Sequence, residues 1–148
     1  MKARFFYGVY GAANLGLVLY GLLSLVNPQV LTDSFAAHVY SFPPGASTAL
    51  TYLAALYRLL GFFNLLAGSL GLWLLWQHRR NPQPWLERTV IMVSLLAYLA
   101  PVIFDNTVGH IGFFEILEHL LFIAMLAVGM FHLSKRMDDD GKDKHSNG

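Results

Sequence analysis

Glu115-x-x-Glu118-His119 puts two carboxyl groups and an imidazole within one hydrophobic stretch. At helical spacings of three and four residues, these side chains project within about 100° of one another. Such a group could move a proton, or grip the polar end of a lipid-soluble ligand. With His110 nearby, it also offers oxygen and nitrogen atoms to a metal ion. That is the weaker reading: the Glu-x-x-His spacing of di-iron bundles is absent, and a closed zinc site draws histidines from more than one helix. The opposite charge is Arg58, which interrupts the hydrophobic stretch 50–76. An ionisable residue at membrane depth is costly, so one Arg facing two Glu marks the polar centre of the chain.

The elements that carry these residues are membrane helices. Hydrophobic residues make up 55% of the 148 and charged residues 13%, a balance that excludes an ordinary soluble domain. Four apolar segments can be drawn, at 5–26, 50–76, 89–106 and 112–133. A bilayer core of about 30 Å is crossed by about 20 helical residues. The third segment is apolar only over 89–104, contains Pro101, and reaches spanning length by adding Asp105 and Asn106. The first is too long for the apolar core of a signal peptide, and no small-x-small cleavage site follows it, so it reads as a retained helix. The expected fold is an all-α, polytopic four-helix bundle over residues 1–134. The polar tail 135–148, with Asp138, Asp139 and Asp140, is expected to be disordered.

Lys and Arg lie before the first segment, between the second and third, and after the fourth, whereas loops 27–49 and 105–111 have none. Under the positive-inside rule both termini are cytoplasmic. Arg58 is the one basic residue outside this pattern. In the first outer loop, Val30, Leu31, Phe35, Val39 and Tyr40 could form one side of an interfacial helix before the turn Phe42-Pro43-Pro44-Gly45.

Depth can be counted from the segment ends. If the second helix enters the membrane near Leu50, Arg58 lies roughly 12 Å below the outer surface. If the fourth enters near Gly112, Glu115 lies roughly 5 Å and Glu118 roughly 10 Å deep. Arg58 and Glu118 are therefore expected to pair at one depth, with Glu115, His119 and Asn64 completing the centre. Gly61, Asn64, Gly68 and Gly71 form a small-residue stripe on the second helix, and with Asn14 on the first they read as packing positions. Gly11-Ala-Ala-Asn14-Leu15 with Gly21 also recurs as Gly61-Phe-Phe-Asn64-Leu65 with Gly71, a trace of an internal repeat.

Other chemistries have no foothold. Cysteine is absent, which removes disulfides, thiolate metal sites and a cysteine nucleophile. There is no phosphate loop, nucleophile elbow or basic domain for nucleic acid.

The segment Gly21-Leu-Leu-Ser-Leu-Val-Asn-Pro28, then Tyr57-Arg58-Leu-Leu-Gly61 with Gly68 and Gly71, then a last helix bearing Glu, resembles the DoxX-like group of small four-helix membrane proteins over roughly residues 5–133. The resemblance implies a bundle in the bacterial cytoplasmic (inner) membrane. It supplies no catalytic mechanism, although some members are associated with quinone-linked or redox partners. The expected role is a non-catalytic accessory subunit or a binder of a lipid or quinone, surrounded by membrane lipids and joined to other membrane subunits or to itself. A small membrane enzyme using Glu118 and His119 for proton transfer, and an oligomeric transporter, are the competing classes.

Overall fold

The computed structural model describes residues 2–29, 31, 46–108 and 113–146. Four long helices follow one another: α1 (Lys2–Val26), α2 (Ala46–Arg80), α3 (Pro84–Val108) and α4 (Phe113–Ser146). No strand occurs among the described residues. Each helix contains a stretch long and apolar enough to cross a membrane. The expected interfacial helix and the turn at residues 42–45 lie almost wholly outside the described residues.

All four helices extend past the limits suggested by hydropathy, because charge ends an apolar window without ending a helix. At the end of α2, Arg79 and Arg80 occupy the last turn, where positive charge suits the helix dipole. Pro84 opens α3, a position that needs no N–H donor, and Glu87 follows in the favoured first turn. Pro101 is accommodated inside α3. α4 runs through Ser146, so the tail expected to be disordered is helical as far as that residue. Extending an existing helix needs no new nucleus, and Lys135, Arg136 and Met137 are good helix formers.

The helices form a ring in which α1 packs on α2, α2 on α3, α3 on α4 and α4 back on α1. α1 and α3 touch weakly across one diagonal, while α2 and α4 occupy opposite corners without contact among the described residues. Large apolar side chains are exposed on all four helices, among them Leu19, Phe62, Leu96 and Ile123, as expected of surfaces facing lipid rather than water.

The tightest seam joins α1 to α2. A Cβ on Gly21 would fall 2.7 Å from the Gly61 carbonyl, and one on Gly68 would fall 2.6 Å from the Asn14 carbonyl. A Cβ on Gly71 would overlap the Asn14 side chain. Glycine is required here because the two backbones nearly touch. The two matching segments of α1 and α2 therefore pack on each other: Gly21 meets Gly61, and Asn14 meets Gly71.

Asn14 is fully buried, and its Nδ2 donates to the Tyr10 carbonyl and to Ser94 Oγ, both at 2.8 Å. Tyr10 donates to the Met125 carbonyl and Tyr98 to the Ala13 carbonyl, each at 2.8 Å. Around this polar seam lie Phe6, Leu17, Leu74, Val90, Ile91 and Val128. The core thus ties α1 to each of the other helices.

Candidate functional site

The bundle has two chemically distinct ends. Arg4, Arg79, Arg80 and Arg88 gather where α1 begins and where α2 passes to α3; Asp105, Glu115 and Glu118 gather where α3 ends and α4 begins.

At the acidic end, His119 connects α3 to α4. Its Nδ1 lies 2.7 Å from the Glu115 carbonyl, which can only accept, so Nδ1 carries the hydrogen. Asn106 Nδ2 donates to the Val102 carbonyl at 2.7 Å and to His119 Nε2 at 2.8 Å. The neutral Nδ1–H tautomer satisfies all three contacts, and both ring nitrogens are engaged. This weakens any role for His119 as the base that exchanges a proton with Glu118.

Glu118 turns inward. Its Oε1 is buried and accepts no hydrogen bond among the described residues. Asp105 and Glu115 act on it electrostatically. Three tyrosines lie within reach of the same acids: Tyr20 of Glu118, Glu115 and Asp105; Tyr57 of Glu115 and Asp105; Tyr98 of Glu118. Side chains from all four helices therefore converge on one acidic and aromatic cluster, called the cleft below. Spacing on α3 carried part of this signal, since Glu87, Ser94, Tyr98 and Asp105 recur at intervals of seven, four and seven. The three tyrosines carried none, because aromatic residues are common in membrane helices.

Arg58 is not part of the cleft. It is exposed, and among the described residues no ion pair joins it to Glu118. The helices that bear the two do not touch. The expected equality of depth also fails. Contacts of Tyr7 with His78, Asn14 with Gly68 and Gly21 with Gly61 set Arg58 level with the last turn of α1, beside Val26. Phe6 against His132 and Tyr10 against Met125 set Glu118 level with the middle of the second half of α1. Glu118 consequently lies roughly 10 Å nearer the centre of the bundle than Arg58. Counting inward from Leu50 misleads because residues 46–57 of α2 project beyond the end of α1.

Asn64 is buried on the stripe of α2 that faces α1. Among the described residues no three His, Asp or Glu side chains are placed to hold a metal ion, and His110 lies outside them.

Neither family models, nor curated proteins, nor solved structures contain a match to this chain. Its geometry is therefore the whole basis for assigning a role.

A second polar cluster lies at the basic end. Tyr7 Oη and His78 Nδ1 are 2.8 Å apart, and His78 Nε2 lies 3.9 Å from Glu87 Oε2, with both His78 and Glu87 buried. The His132 ring stacks on Phe6 with centroids 4.9 Å apart. Apolar residues, including Leu74, Val90 and Ile91, fill the core between this cluster and Asn14. The two polar ends are thus separate sites rather than one continuous path.

Proposed function

We propose that this chain is a small multi-pass membrane protein that holds an amphiphile by its headgroup at Glu118. The observation that carries this reading is the buried Oε1 without a hydrogen-bond donor among the described residues, which costs about 1–3 kcal/mol until a donor arrives. Around it the cleft is rich in acceptors: three carboxyl groups come from α3 and α4, and neither 27–49 nor 105–111 contains Lys or Arg. A ligand that brings a donor satisfies this oxygen. A lipid amine, a lipid hydroxyl or a quinol does so, whereas an oxidised quinone offers only carbonyl acceptors.

The basic end is cytoplasmic in this reading, with the acidic cleft opening on the other face. The DoxX-like resemblance supports placement in a bacterial cytoplasmic membrane. A role as accessory subunit follows if the headgroup belongs to a cofactor or lipid shared with a larger complex.

The test is binding by delipidated protein in mild detergent. A fluorescent long-chain amine, the matching alcohol and the matching ketone are compared. The amine and alcohol should bind at least about tenfold more tightly than the ketone, and Glu118→Leu should erase that preference. Equal affinity for all three probes would remove the headgroup reading.

A further inference from the structure

We propose that His119 is a proton-operated latch between α3 and α4 that controls how widely the acidic cleft opens. The inference rests on the cleft being the ligand site, but the latch follows from hydrogen-bond roles alone. Val102 and Glu115 contribute carbonyl oxygens, which only accept. The Asn106 amide nitrogen must therefore face Val102, and the hydrogen of neutral His119 must sit on Nδ1. What remains is the donation from Asn106 to the lone pair of His119 Nε2, the side-chain hydrogen bond that crosses from α3 to α4.

A second proton on the ring removes that lone pair. Nε2–H then points at the N–H of Asn106, and two donors face each other. Asn106 cannot correct this by rotating its amide, because its oxygen would then confront the Val102 carbonyl. The imidazolium is then repelled from Asn106, at the end of the bundle that also carries Asp105 on α3 and Glu115 and Glu118 on α4. Among the described residues the remaining titratable groups near these acids are phenols, Tyr20 from α1, Tyr57 from α2 and Tyr98 from α3. The α3–α4 link is thereby lost.

Two features make this junction sensitive. α4 is the least buried of the four membrane-length helices, so few other contacts hold it. In the proposed orientation the latch also faces the outer compartment, whose pH varies within the range over which histidine changes charge.

The chain has no cysteine, so paired spin labels can be placed without background. Ile103→Cys on α3 and Ile116→Cys on α4 are both at exposed positions. In full-length protein reconstituted in lipid nanodiscs, the interspin distance should be narrow at about pH 8 and lengthen by about 1–2 Å, or broaden, at about pH 5. His119→Phe should abolish the response. Asn106→Ala should abolish it as well, since no amide then faces the ring.

No pH response in the otherwise native chain overturns the latch. So does a response that survives His119→Phe or Asn106→Ala. No ligand is present in these measurements, so their failure leaves the headgroup reading to its own binding test.

Discussion

Gly71 of α2 lies against the side-chain amide of Asn14 on α1, in space that a single methyl group would overfill. The same amide donates to Ser94 on α3, so this contact fixes three helices at once. Gly71→Ala should therefore destabilise the protein by about 1–3 kcal/mol, the usual cost of overpacking. Gly8 is the control, because a Cβ there meets nothing within 4 Å. Gly8→Ala should be neutral or stabilising by up to about 1 kcal/mol. Thermal unfolding in one detergent compares the two, and equal effects would mean that the seam is looser than drawn.

Arg58 and Glu118 should behave as strangers. Their helices stand at opposite corners of the ring, and Glu118 lies deeper in the bundle. Arg58→Ala and Glu118→Gln should change stability additively within about 0.5 kcal/mol. A coupling well above that value would place the two side chains in contact and contradict the arrangement of helices.

Why the sequence suggested otherwise is instructive. Arg58 precedes Gly61 by three residues, so spacing alone sets it on the stripe of Gly61, Asn64, Gly68 and Gly71. The stripe is covered by α1 only as far as Val26, where the chain leaves at Asn27 and Pro28. Spacing reports which side of a helix a residue occupies, but not where its neighbour stops. Hydropathy likewise gave four helices and their order, yet nothing about the offset between them, which decides what lies level with what. The glycine stripe was legible because small residues at helical spacing have one main use in a membrane. The Tyr7, His78 and Glu87 cluster was not, since its members come from three helices with no shared spacing.

Orientation can be settled by labelling. Asn81 at the α2–α3 turn and Thr107 near the end of α3 are both exposed, at opposite ends of the bundle. With single cysteines at these positions in intact cells, a membrane-impermeant maleimide should react with Thr107→Cys directly. Asn81→Cys should react only after permeabilisation. The reverse pattern would turn the acidic cleft toward the cytoplasm and sink the proposed topology.

His78 and Glu87 brace the hairpin of α2 and α3 at the basic end. At 3.9 Å their contact is too long for a hydrogen bond, yet both side chains are buried, so each limits the cost of the other's polarity. Removing one partner leaves the other buried with a poorer environment. Glu87→Leu also withdraws the acceptor beside His78, and His78→Phe breaks the 2.8 Å contact to Tyr7. Each change should cost about 1–3 kcal/mol. The double variant replaces both polar groups with apolar ones in a largely apolar setting, so its cost should fall short of the sum by about 1 kcal/mol or more. Steric trapping or thermal unfolding of the four proteins in matched detergent measures the difference. Additivity within about 0.5 kcal/mol would show that the two side chains do not stabilise each other.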